Sequence, residues 1–228
     1  MKKIVLILFA ALTLFSTGCT QARQSGPALR TGDLVFVQIP SGYDLEEDSM
    51  ADAIGASTSG GDSLMTIHVA ILEVQGDSLW IIDATLRHGV DRHPLDTMLC
   101  DFTLKDGSLP KFVVKRPLVS EEGARRDVEN AKKFLGQPYD VHFLPDNGAM
   151  YCSELVQCSY LKEDGTHLFE QYPMNFLDSD GKMPVYWTEL FALLGEKVPQ
   201  GVMGTNPQRM FLSPSLTEVR PYSWTLAN

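Results

Sequence analysis

The chain has 228 residues, 44% of them hydrophobic, and 29 acidic against 19 basic side chains leave a formal net charge of −10. That balance argues against nucleic acid and anionic lipid as electrostatic partners, since both select basic surfaces. Length and apolar content suit a single domain with a sizeable core, placed at 31–228.

Residues 1–18 carry Lys2 and Lys3, an apolar run over 4–15, then Ser16, Thr17 and Gly18. That is the pattern of a secretory signal peptide, and the run is shorter than the ~20 residues of a membrane span. Small residues directly before Cys19 resemble a bacterial lipoprotein processing site, with Cys19 lipidated as the first mature residue. Ser16 stands where leucine is commoner, so ordinary signal-peptidase cleavage is the alternative. The expectation is an exported, periplasmic protein joined to the outer membrane only by a lipidated tether, 19–30. Losing Lys2 and Lys3 takes the charge from −10 to −12. Three cysteines then remain, Cys100, Cys152 and Cys158. Cys152 and Cys158, six apart on one helix, point to different faces, so they should not bridge. A Cys100–Cys158 disulfide and burial of both as free thiols are the two readings for the others. No spacing matches a structural zinc site.

Gly32-Asp33 introduces an apolar strand over 34–39, closed by Pro40. The acidic, Gly/Ser-rich stretch 41–63, with one short helix near 50–54, is long enough to be functional and is expected to border a cleft. Runs over 66–74 and 78–85 read as a β-hairpin joined through Gln75-Gly76-Asp77. A turn at Gln75-Gly76 sets His68 directly opposite Asp83, and a turn at Gly76-Asp77 makes them diagonal neighbours on one face. Either register brings imidazole and carboxylate into reach, whereas a one-residue slip separates them. A lone strand histidine is usually a satisfied core residue. Asp83, between Ile82 and Ala84, is harder to leave unpaired, because a buried carboxylate is costly without a partner. His88 and His93 follow in a loop ending at Pro94 and read as solvated, with no metal and no cofactor implied. One or two helical turns are expected over 95–102 and a strand over 111–116.

Ser120 opens an amphipathic helix with Ala124, Val128, Ala131, Phe134 and Leu135 on one stripe, stopped by Gly136 and Pro138. Asn147-Gly148 then precedes Tyr151-Cys152-Ser153-Glu154-Leu155-Val156, an apolar-periodic run reaching Asp164-Gly165. Cys152 therefore falls in the first turn of a helix of roughly three turns, where unpaired N–H groups favour thiolate over thiol. Burial as a small apolar side chain is the alternative reading of the cysteine alone. Toward the C-terminus, 185–194 reads as a helix with Trp187, Leu190, Phe191 and Leu194 on its apolar side, and 172–187 holds aromatic and acidic residues able to line a groove.

Gly32-Asp33-Leu34-Val35-Phe36, Ile67-His68-Val69-Ala70, Ile82-Asp83-Ala84, Val113-Val114-Lys115-Arg116, Gly136-Gln137-Pro138-Tyr139-Asp140 and Tyr151-Cys152-Ser153-Glu154-Leu155 together resemble the YiiX-like branch of the circularly permuted NlpC-type papain-like cysteine peptidases. The histidine precedes the cysteine, as in the permuted order. The resemblance implies an α+β papain-like fold whose antiparallel sheet packs on the cysteine helix. It implies Cys152 as nucleophile, His68 as base and Asp83 as third member, where relatives often carry glutamate. Tyr139 and Tyr151 would hold the oxyanion or substrate. Asp140 and Glu154 would shape the pocket or pair with a nearby Arg or Lys. The implied activity is hydrolysis of an amide bond in a cell-wall peptide or related amino-acid conjugate. An acyltransferase or lipid acyl hydrolase resembling lecithin retinol acyltransferase, and a binding protein without turnover, are the alternatives. The sequence does not fix an oligomeric state.

Overall fold

The computed structural model describes residues 28–41, 43, 49–58, 62–219 and 224, and the predicted leader and Cys19 lie outside them. In chain order the elements are β1 (Leu34–Pro40), α1 (Met50–Thr58), β2 (Leu64–Gln75), β3 (Ser78–Thr85), β4 (Gly89–Pro94), α2 (Leu95–Asp101) and β5 (Lys111–Pro117). They continue with α3 (Glu121–Lys132), α4 (Cys152–Ser159), β6 (Tyr172–Pro173), α5 (Val185–Leu194), β7 (Met203–Gly204), α6 (Pro207–Phe211) and β8 (Leu216–Val219). Six strands form one antiparallel sheet in the order β4-β3-β2-β1-β5-β8, and β6 pairs with β7 separately.

The central strands are apolar on both sides because both faces are covered. Val35, Val37, Leu72 and Ile81 pack with Leu95, Met98 and Leu99 of α2. Leu34, Phe36, Val69, Ile71 and Ile82 pack with Val128 and Ala131 of α3 and Leu155 and Val156 of α4. Side chains of this size each stabilise by roughly 1.5–3 kcal/mol when fully buried, so the sheet is a stiff platform for α4. Phe143, Phe176, Trp187 and Phe191 make a third cluster beside α1 and α5.

The hairpin takes the second of the two anticipated registers. Gln75 pairs with Ser78 around Gly76-Asp77, and Gly76 has φ 58°, the conformation a type II′ turn asks of its first central residue. His68 and Asp83 are thus diagonal neighbours. A bulge in the β1–β2 ladder inserts Ile67 between the pairs Val37–His68 and Gln38–Thr66. Bulges re-aim the side chains beside them, and this one adjoins His68.

Several elements differ from expectation. Residues 89–94 form strand β4 rather than a loop. Helix α3 ends at Lys132, after which Phe134 and Leu135 donate to residues three back, turning Leu135 off the stripe to 40% exposure. Helix α4 stops at Ser159 because Tyr160 goes extended, its hydroxyl donating to the Gly32 carbonyl at 2.9 Å. Cys100, Cys152 and Cys158 are all free, and Cys100 is exposed rather than buried.

One contact ties β4 to the segment that leads to the cysteine. Val90 N–H donates to the Gln137 carbonyl and Gly136 N–H to the Val90 carbonyl, both at 2.8 Å. Gly89 has φ 66°, and a Cβ there would sit 2.4 Å from the Gln137 oxygen. Gly89→Ala is expected to cost about 2 kcal/mol in denaturant unfolding, through left-handed strain plus the lost close approach.

Candidate active site

Tyr139 and Met150 form a parallel bridge, with Asp140 N–H on the Met150 carbonyl and Met150 N–H on the Pro138 carbonyl, each at 3.1 Å. That bridge closes the intervening loop and delivers the chain into α4. Asp140, fully buried, holds the loop from inside: its Oδ1 accepts from His142 N–H at 2.8 Å and Asn147 Nδ2 at 2.9 Å, and its Oδ2 from Leu144 N–H at 2.9 Å. Phe143 is held at φ 53°, a strained conformation for a bulky residue, with its ring against Tyr151, Phe176 and Trp187.

Cys152 is the first residue of α4, behind Tyr151 in extended conformation (φ −95°, ψ 165°). Its backbone N–H is among those at a helix start that lack an intrahelical partner. The thiol is 4% exposed and shares a cavity of about 40 Å³ with Tyr139, Phe143, Tyr151, Phe176 and Trp187. Ile54, Ser57 and Thr58 of α1 line it too, so the stretch expected to border a cleft does so through α1.

Opposite the sulfur stands His68. Its Nε2 lies 2.8 Å from Asp83 Oδ2, and Cys152 is near enough for its charge and hydrogen bonding to act on the ring. Phe102 packs on the ring with centroids 4.7 Å apart. Burial disfavours the imidazolium, but negative charge at Cys152 and the Asp83 hydrogen bond outweigh it and raise the His68 pKa to about 10. Burial likewise pushes Asp83 up, and hydrogen bonds from His68 and His93 reverse this, lowering it to about 2. A thiol, an imidazole and a carboxylate grouped in this way can make a nucleophile, carry one proton and orient the carrier.

The model of the permuted papain-like amidase family, YaeF/YiiX, C92, matches residues 28–220. The chain belongs to this family. The uncharacterized protein YiiX of Escherichia coli K12 is 26% identical over 201 residues, covering 86% of this chain and 90% of that protein. The crystal structure of metalloprotein yiiX from Escherichia coli O157:H7 superposes with a TM-score of 0.64 at 26% identity, covering 86% of this chain and 98% of that one. The α+β permuted papain-like architecture is therefore shared.

Within this amidase fold the other anticipated residues take different positions. Tyr139 lines the cavity, and burial, followed by charge at Cys152, holds its hydroxyl far above its ordinary pKa, so it remains an O–H donor. Tyr151 also lines the cavity, but its hydroxyl accepts from Thr205 N–H at 3.1 Å and is thereby anchored. Asp140 and Glu154 lie beneath the loop rather than in the cavity wall, and among the described residues neither pairs with Arg or Lys. Glu154 accepts from Tyr151 N–H at 3.4 Å, and burial, then Asp140 and Asp146, raise its pKa to about 8.

With a folded pKa above the unfolded 4.5, Glu154 is most favourable when protonated, and stability falls as pH rises toward 8. Glu154→Gln keeps the acceptor and is expected to stabilise by on the order of 2 kcal/mol above pH 8, with little effect near pH 5, in thermal melts.

His93 requires correction. It is not solvated but 7% exposed, its Nε2 3.0 Å from Asp83 Oδ1 and its Nδ1 3.1 Å from the Pro94 carbonyl. The signal that could have found it is Asp83 itself, since a buried carboxylate has two oxygens to satisfy and His68 takes only one. His88 is the more exposed of the two, with Nε2 3.3 Å from Asp101.

Proposed function

We propose that this chain is an exported thiol hydrolase that cleaves an amide bond in a small peptide or amino-acid conjugate of the cell wall. The observation that carries this is His68, bound to Asp83 at 2.8 Å and in contact with Cys152 at a helix start. With the Cys152 proton resting on His68, the thiolate adds to the amide carbonyl. The Cys152 N–H and Tyr139 O–H hold the oxyanion, and the His68 imidazolium gives its proton to the leaving amine. Water then attacks the acyl-thioester with His68 as base, releasing acid and restoring the thiol.

The cavity beside the sulfur favours this over lipid chemistry. Its volume of about 40 Å³ admits a few heavy atoms rather than an acyl chain. A wider groove of about 530 Å³ shares Thr205 and Asn206 with it and is lined by Arg209, Lys162 and Tyr172 together with Leu168, Phe169 and Met210. The O157:H7 relative is named a metalloprotein. Among the described residues here no three His, Cys, Asp or Glu side chains are grouped as metal ligands, and His68 and His93 are committed to Asp83. No step is therefore routed through a metal. Lipidation at Cys19, with that lipid as the membrane anchor, completes the proposal; among the described residues no helix is long and apolar enough to cross a membrane.

Exposed Cys100 would obscure labelling, so the test uses Cys100→Ser as parent. Iodoacetamide is expected to modify Cys152 selectively at neutral pH, with the label lost in Cys152→Ala and strongly slowed in His68→Ala. Burial, then Glu154 and Asp146, push the Cys158 thiol up to about 11, which keeps it silent. Equal labelling of all three proteins would sink the reading. Incubation with muropeptides and, separately, phospholipids names the substrate class, and product from lipid alone would replace the amide by an ester.

A further inference from the structure

We infer that His93 is a positioning residue of this site, an imidazolium that grips Asp83 by Oδ1 and so fixes Oδ2 on His68. Its two ring nitrogens both meet acceptors: the Pro94 carbonyl can only accept, so Nδ1 carries a hydrogen, and Asp83, as a carboxylate, can only accept at Nε2. A ring with two N–H groups is a cation. The pairing Ile81–His93 places His93 beside Asp83 on the same face of β3 and β4, while Asp83, 1% exposed, shares one oxygen with each histidine.

The electrostatic sense lies in the sum. Thiolate, His68 imidazolium, Asp83 carboxylate and His93 imidazolium alternate in sign and cancel. Without His93 the buried group would carry a net negative charge, which a desolvated site holds only at high cost. Asp83 on β3 and Asp91 on β4 are the carboxylates facing His93. His88, from the turn before β4, has its ring centroid 6.1 Å away and is itself bound to Asp101 of α2. The His93 charge also repels a proton on His68 through Asp83. It thus tempers the hold on a proton that must leave with the amine. This kinetic role rests on the reading of Cys152 and His68 proposed above; the charge of His93 does not.

Histidine ¹⁵N NMR on the Cys152→Ala protein at pH 8 tests the charge without any chemistry. The His93 ring is expected to show both nitrogens protonated, and a neutral ring would overturn the inference while leaving Cys152 as nucleophile untouched. Alkylation kinetics test the role. Iodoacetate, an anion, is drawn by the His68 imidazolium and neutral iodoacetamide is not, so the ratio of their rates at Cys152 falls as His68 deprotonates, near pH 10 in the parent. In His93→Gln, which keeps a donor to Asp83 but no charge, that fall is expected to move up by about one to two pH units. A fall that stays in place or moves down in the folded variant would reduce His93 to packing.

Discussion

His68→Ala is expected to lower kcat/KM for an amide substrate by at least about 10²- to 10⁴-fold, with Cys152 still present and the protein folded. In the proposed reaction this one side chain performs two proton transfers, so its loss removes both the formation of the nucleophile and the protonation of the leaving amine. The pH profile adds a sharper expectation. The His68 pKa is raised from 6.5 to about 10, so the imidazolium needed to expel an amine persists through neutral pH and is lost only as pH rises through about 10. Amide hydrolysis should therefore hold well above pH 6.5 and decline near 10. The linkage has the same sign for stability: a raised histidine contributes fully below 6.5 and loses its contribution on the way to 10. An alkaline limb of activity near pH 7 would show that Cys152 and Asp83 do not hold the proton on His68.

The reach of the sequence can be traced through this same residue. The hairpin was legible because alternation and a Gly-containing turn restrict the register, and both allowed registers put His68 on the face of Asp83. Which one is realised depends on Gly76 accepting a positive φ as the first central turn residue, a choice the pattern alone leaves open. Cys152 at a helix start was legible from the breaker residues before it and the apolar period after it. The length of that helix was not, because Tyr160 leaves helical geometry to bury its ring and reach Gly32, a contact across 128 positions. Strand β4 was hidden for a related reason. Gly89-Val90-Asp91-Arg92-His93-Pro94 has little apolar alternation, and its polar side chains meet tertiary partners: Arg92 Nε meets Glu73 at 2.6 Å and His93 meets Asp83. Local pattern reports burial in apolar surroundings, whereas a buried polar strand is visible only once its partners are known.

Asp83 is where activity and stability meet, and its replacement should have the largest combined effect. In Asp83→Ala two buried histidines lose their shared acceptor, and removing one partner of a buried charge network typically costs about 3–5 kcal/mol. Asp83→Asn is the gentler test. Its single carboxamide oxygen can accept from one histidine, but its NH₂ then faces the N–H of the other, so one of the rings must shed a proton or turn. Loss of activity is expected in both variants, and the asparagine should retain more stability near pH 8, where a neutral ring costs less. The acid side separates the carboxylate from mere packing. Its folded pKa of about 2 lies below the unfolded 3.8, so it contributes stability above about pH 4 that disappears as pH falls toward 2. Thermal melts of the parent should therefore drop steeply between pH 4 and 2. In Asp83→Asn that acid slope should flatten, because no carboxylate is left at this position to take up the proton. An unchanged slope would mean that other carboxyl groups set the acid limit and that Asp83 holds its histidines far more loosely than the 2.8 and 3.0 Å contacts imply.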